Sequence, residues 1–206
     1  MVRDFLPEGW GVQGERGIAF VLTGPSGAGK SSVIGELLRR DSHLAFSVSA
    51  TTRPKRPDEV HGRDYYFLSQ EEFDQLVSSG ELLEWTEYQG HRYGTPRREV
   101  VNRLAQGKDV LLNVEVQGAL AIARAGLPCP VVLVFIVPPS WEELVARIRA
   151  RGTESDEALR ERLVIAREEV RHIPEFHYLV VNDRLENAVR ELEAIVMAER
   201  RRITQW

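Results

Sequence analysis

Residues 18–38 read Ile-Ala-Phe-Val-Leu-Thr-Gly-Pro-Ser-Gly-Ala-Gly-Lys-Ser-Ser-Val-Ile-Gly-Glu-Leu-Leu. The apolar run Ile18–Leu22 has the length and β-leaning composition of a buried strand. Gly24-x-x-x-x-Gly29-Lys30-Ser31 follows at once. Val33, Ile34, Leu37 and Leu38 then recur at helical spacing. Strand, glycine loop and helix in that order make the loop a candidate site for the phosphates of a nucleoside triphosphate. Its plainer reading is a glycine-rich turn before a helix.

The residue types suit that chemistry. A polyphosphate needs many N–H donors in a small concave space, and Gly24, Gly27 and Gly29 let the backbone approach and turn. The first N–H groups of the helix point at the anion, and the helix dipole adds favourable charge. Lys30 is a mobile point charge that can follow the β- and γ-phosphates during transfer. Ser31 offers a hydroxyl to Mg²⁺. Pro25, Ser26, Ala28 and Ser32 complete the expected phosphate loop.

Outward from this loop, composition bounds the rest. The 206 residues are enough for one domain with a small insert. Hydrophobic content of 43% and charged content of 28% suit a globular chain. A net charge of -4 argues against a general nucleic-acid binder, so the arginines are expected to serve a local anion. Cys129 is the one cysteine, which excludes an internal disulfide and fits a reducing compartment. No apolar run is long enough to span a membrane, and no signal peptide is evident. A cytoplasmic protein is expected, with no membrane or obligate protein partner, as a monomer or small homo-oligomer. Met1–Arg16 reads as a loose extension with no evident role.

Leu44–Val48 is a possible second strand. Between Ser49 and Phe67 lie Arg53, Lys55, Arg56, Arg63, Tyr65 and Tyr66. Pro54 and Pro57 make Arg53–Gly62 a loop, and Tyr65–Leu68 reads as a strand. The charges are either a solvated surface or a guanidinium fork for a phosphate monoester. Ser69-Gln-Glu-Glu72 reads as a capping box opening a short helix closed by Gly80. Leu82–Trp85 continues as a strand into a turn at Gln89-Gly90. Glu84 sits between Leu83 and Trp85, so its carboxylate either faces water or has a partner.

Pro96 fits the first turn of a helix running to about Gln106. Val110–Val116 reads as a buried strand with Asn113 and Glu115 near its C-terminal end, where ligands bind in open α/β sheets. Gln117 to about Ala125 is a helix, and Val131–Val137 is a central parallel strand. Ser140 caps a helix from Trp141 to Arg149. Residues 147–171 hold seven arginines and no lysine. They are either surface ion pairs or a flap for polyphosphate. Tyr178–Val181 is a last strand, ending in Asn182-Asp183, before a closing amphipathic helix. The five histidines show no metal-ligand spacing.

Alternating strands and helices imply an α/β fold: a three-layer core with a parallel sheet flanked by helices. The expected division is an extension over 1–16, a core over 17–48, 97–139 and 171–199, an insert over 49–96, a helical lid over 140–170, and a tail over 200–206.

At this point the chain resembles the guanylate kinases over about Gly17 to Glu199. The matching segments are Gly-Pro-Ser-Gly-Ala-Gly-Lys-Ser at 24–31, Ser49-x-Thr-Thr-Arg53-x-x-Arg56, Gly62-x-Asp64-Tyr65-x-Phe67, Glu84-Trp85, Tyr93-Gly94-Thr95 and Arg151-Gly152-Thr153. The resemblance implies the P-loop fold and transfer of the γ-phosphoryl of ATP to GMP with Mg²⁺, dGMP being a further acceptor. It implies that Arg53, Arg56, Tyr65 and Tyr93 grip the GMP phosphate, and that Ser49, Glu84, Thr95 and Glu115 read guanine. It makes Arg147, Arg151 and Arg162 the flap arginines and Asn182 an adenine-side contact. Lys30, Arg53, Arg151 and Arg162 are then the catalytic set.

Guanine presents two adjacent donors, N1–H and N2–H, which one carboxylate can accept side by side; adenine has an acceptor at N1. Glu84 therefore suits guanine. The chain departs from the family where two acidic residues are common, having Asn113 and Glu115. Guanylate-kinase-like domains also serve as interaction modules, but those tend to have a damaged phosphate loop, and here the loop is intact.

Overall fold

The run Ala19–Thr23 forms strand β2, every residue of which is buried. Such a strand needs cover on both faces, and its neighbours in the sheet supply the frame for it. The computed structural model describes residues 5–88, 90–150 and 156–205. Around β2 lie β3 (Leu44–Phe46), β8 (Asp109–Asn113), β9 (Val131–Val137) and β10 (Tyr178–Val181), in the spatial order β10-β9-β2-β8-β3. All four pairings are parallel.

Alternation along β2 decides what covers each face. Ile18, Phe20 and Leu22 point to one layer, where they meet Val33, Ile34 and Leu37 of helix α1 (Lys30–Arg40) and Val189, Leu192 and Val196 of helix α7 (Leu185–Arg201). Ala19 and Val21 point to the other, with Val100 and Leu104 of α3 (Arg97–Ala105) and Ala119 and Ile122 of α4 (Val116–Arg124). Burying each large side chain contributes about 1.5–3 kcal/mol. The three-layer parallel core is therefore as expected.

Residues 50–96 form a separate four-stranded sheet, β5-β4-β7-β6, from β4 (Ala50–Thr51), β5 (Tyr66–Phe67), β6 (Leu82–Tyr88) and β7 (His91–Pro96). Helix α2 (Gln70–Ser78) carries the expected capping box, with Ser69 and Glu72 exchanging bonds with each other's backbone N–H. Helices α5 (Trp141–Ala150) and α6 (Asp156–Arg171) share a small core of Leu144, Ile148, Leu159 and Ala166.

Four expectations need correction. The strand carrying Asn113 ends there, and Glu115 is the N-cap of α4. Pro96 closes β7 and precedes α3 instead of sitting in its first turn. The second core strand stops at Phe46, short of Val48. The segment read as a loose extension contains β1 (Trp10–Val12), which pairs antiparallel with β11 (Ile203–Gln205) in the expected tail.

That ribbon is anchored by a buried charge. Glu199 is 2% exposed and accepts from Gln13 Nε2 at 3.0 Å, from Arg202 Nη2 at 2.6 Å and from the Tyr178 hydroxyl. A buried carboxylate persists when its oxygens are satisfied in this way. Gly14 fits against the backbone of Arg200, where a Cβ would stand 3.0 Å from the Arg200 carbonyl oxygen.

Candidate functional site

The phosphate loop leaves the C-terminal end of β2. Gly24 has φ 142°, and a Cβ there would lie 2.0 Å from the Ile136 carbonyl oxygen of β9. No other residue type fits without moving the sheet. Gly29, in the left-handed region at φ 84°, is the N-cap of α1, and no side chain caps that helix. The first N–H groups of α1 are thereby presented at the loop, with the positive end of the helix dipole behind them. Lys30 Nζ folds back across the loop, donating to the Gly24 carbonyl and reaching the Pro25 carbonyl at 3.5 Å. Ser31 and Ser32 are exposed in the first turn of α1, while Ser26 is half-buried and Ala28 is buried.

Asn182, expected on the adenine side, braces the loop from beneath. It is 6% exposed, and its Nδ2 donates to the Ala28 carbonyl at 2.8 Å. The helical pair lies against the same loop. Ile148 and Leu144 pack beside Gly27, and Arg162 Nη1 reaches Ser26 Oγ at 3.5 Å. Arg147 is held by Glu143 of its own helix, with Nε 2.8 Å from Oε1. Arg151 lies outside the described residues.

Across from the loop, the second sheet gathers the aromatic and basic residues. Thr51 pairs with Tyr93 in the β4–β7 register, so Arg53, just past β4, emerges beside Tyr93. The Arg53 pKa is raised, by Glu59 first and in smaller part by Tyr93. Tyr65 and Tyr93 meet edge to face with ring centres 6.1 Å apart, and the Arg53 guanidinium lies 5.5 Å from the Tyr65 ring centre. Burial pushes the Tyr65 hydroxyl above its ordinary pKa, so it stays a neutral donor. Arg56 is exposed on the adjoining loop, and Ser49 is half-buried at the start of β4.

Glu84 and Thr95 come together across β6 and β7, where the register shifts between Leu82 and Trp85. Thr95 Oγ1 donates to Glu84 Oε1 at 2.6 Å. Burial raises the Glu84 pKa, the Thr95 bond opposes this, and the charge of Glu115 adds to it. Glu115 also acts on Glu169 of α6. Burial, then Glu115, push Glu169 up to about 8, with Lys30 pulling the other way. Glu115 thus bears on both Glu84 and Glu169, and Lys30 on Glu169.

Two of these residues escaped the sequence reading. Glu169 is one of several glutamates on an amphipathic helix, and nothing local marks it. Glu59, whose Oε1 lies 2.7 Å from Arg53 Nη2, lies within the same basic loop, and that proximity is the one signal available. Cys129 is half-buried, and burial pushes its thiol up to about 11, which makes it a poor nucleophile.

The guanylate kinase family model matches residues 16–199. The chain belongs to the guanylate kinase family. A guanylate kinase of Thermobifida fusca is 51% identical over 178 residues, covering 86% of this chain and 90% of that one. The guanylate kinase of Thermotoga maritima is 46% identical over 190 residues, covering 92% and 91%. Among solved structures, a guanylate kinase from Anaplasma phagocytophilum superposes with a TM-score of 0.72 at 33% identity, covering 90% of this chain and 87% of that one. The family-wide match spans the phosphate loop, the second sheet and the helical pair together.

Proposed function

We propose that this chain transfers the γ-phosphoryl of ATP to GMP, giving ADP and GDP, and that dGMP is a second acceptor. The observation that carries this reading is the pairing of an intact phosphate loop with a half-buried, Thr95-bonded Glu84. An ionised Glu84 accepts from guanine N1–H and N2–H, while Thr95 can donate to O6. A base lacking those donors leaves the carboxylate unpaired, which can cost on the order of 10⁴ in discrimination. Arg53, Arg56, Tyr65 and Tyr93 grip the acceptor phosphate. Lys30 leaves the Gly24 carbonyl to follow the transferring group, joined by Arg147, Arg151 and Arg162.

Mg²⁺ fits this site as a companion of the nucleotide. Ser31 offers an exposed hydroxyl beside the loop, and no cluster of three or more His, Cys, Asp or Glu suited to a metal occurs among the described residues. Mg²⁺ characteristically keeps its waters and is held largely by substrate phosphates. When bound it neutralises charge on the β- and γ-phosphates. No general base is required, because a phosphate dianion is already the nucleophile. The chain's own contribution is to align acceptor oxygen with γ-phosphorus and to exclude water.

No helix among the described residues is long and apolar enough to cross a membrane. We place the enzyme in the cytoplasm, acting on small-molecule substrates without a nucleic-acid or obligate protein partner. A coupled assay with ATP, Mg²⁺ and either GMP, dGMP, AMP or UMP tests the reading. ADP release with GMP and dGMP, and little with AMP or UMP, is expected. Absence of ADP release with GMP overturns it.

A further inference from the structure

The fork that is to hold the acceptor phosphate is itself held. Arg53 Nη1 and Nη2 lie 3.0 Å and 2.7 Å from the two carboxylate oxygens of Glu59, an end-on bidentate pair. Nη1 also donates to the Pro54 carbonyl at 2.8 Å. Those bonds use three of the roughly five N–H donors of a guanidinium. What they leave is the Nε–H and the second Nη2 N–H, the parallel pair on the side edge of the group. Such a pair matches two oxygens of a phosphate.

Glu59 is not placed like a loosely held stand-in for the ligand. Its Oε2 also accepts from the Arg56 backbone N–H at 2.8 Å, and its carbonyl accepts from Lys55 Nζ at 2.7 Å. Its side chain is 17% exposed and that of Arg53 is 15% exposed. A phosphate that displaced this carboxylate would strip the Arg56 N–H of its partner. It would also leave a carboxylate beside a dianion. The arrangement is stable with Glu59 behind the guanidinium and an anion in front.

We infer that Glu59 is a positioning residue for phosphoryl-acceptor binding: it fixes the Arg53 guanidinium so that its side edge faces the acceptor phosphate. This rests on the reading that Arg53 contacts that phosphate. Glu59 acts through its bonds to the Arg53 guanidinium, while its bond to the Arg56 backbone N–H holds the carboxylate in place. Its effect therefore depends on the acceptor's phosphate and on the presence of Arg53.

The test compares Glu59→Gln, Arg53→Ala and the double variant, each checked for an unchanged melting profile. Glutamine keeps the shape but loses the charge and the second acceptor oxygen. Glu59→Gln is expected to raise KM for GMP about tenfold, leave KM for ATP in place, and leave competitive inhibition by guanosine, which lacks the phosphate, unaltered. In the Arg53→Ala background the same change is expected to have no further effect. Should Glu59→Gln destabilise the fold, Glu59→Asp, which keeps the charge but shortens the reach, gives the same KM comparison. An unchanged or lowered KM for GMP, a parallel weakening of guanosine, or full additivity with Arg53→Ala overturns the inference. If Arg53→Ala itself leaves GMP binding intact, the phosphate-fork reading fails first, and that result is distinct from a failure of Glu59 alone.

Discussion

The Thr95 hydroxyl donates to Glu84 Oε1 at 2.6 Å, across two neighbouring strands of the second sheet. Glu84 is thereby aimed, and its raised pKa follows from burial first and the charge of Glu115 third, with the Thr95 bond working against them. The carboxylate must be ionised to accept two guanine donors. Acceptor binding is thus expected to weaken as pH falls, with an apparent pKa on the acid limb above the ordinary 4.5. In kcat/KM for GMP against pH, Glu84→Gln should remove the part of that limb due to this carboxylate and leave the part due to protonation of the acceptor phosphate. It should also erode the preference for GMP over AMP by about 10- to 100-fold. A retained preference would assign the reading to another group.

Gly118 faces the same carboxylate. A Cβ at that position would stand 2.8 Å from Glu84 Oε2 and 3.1 Å from its carboxyl carbon. Alanine suits the helical backbone there, so the effect falls on Glu84 and not on α4. Gly118→Ala is expected to raise KM for GMP about tenfold while leaving KM for ATP alone. Steady-state kinetics with each substrate varied in turn measures both.

Lys30 rests on the Gly24 and Pro25 carbonyls and has only to swing to meet a nucleotide. Its charge matters most where charge spreads in transfer. Lys30→Ala is expected to lower kcat by on the order of 10²–10³-fold. GMP affinity, read by calorimetry, should change far less. Undiminished turnover would remove Lys30 from its assigned role.

Glu199 gathers Gln13, Tyr178 and Arg202 around one buried carboxyl. Glu199→Ala leaves those partners unsatisfied and should cost about 2–3 kcal/mol. The urea midpoint should fall accordingly, with kcat little changed because the cluster lies away from the phosphate loop. A midpoint matching the parent would mean that water replaces the lost carboxylate without penalty.

Much of the core was legible because its signals are local. The apolar run Val131–Val137 coincides with β9, and the Ser69–Glu72 spacing is a capping box in the structure. Other features depend on distant partners. β1 and β11 have three residues each and little apolar patterning, so each looks like coil until the other is beside it. Val114 and Val116 prolong the apolar alternation past the true end of β8, which made Glu115 look like a strand residue. The meeting of Glu84 with Thr95 needed only a hairpin and was within reach. The pairing of Glu115 with Glu169 needed the helical pair to lie over the core, and no sequence spacing encodes that.

The ribbon of Trp10–Val12 and Ile203–Gln205 has a consequence for the birth of the molecule. During translation its first strand is made long before its mate. Until then Gln13 has no Glu199 to meet. Sealing of the ribbon therefore waits until Ile203–Gln205 has emerged, and a nascent chain stalled short of Ile203 should remain more open to proteases near Trp10 than one carried past it.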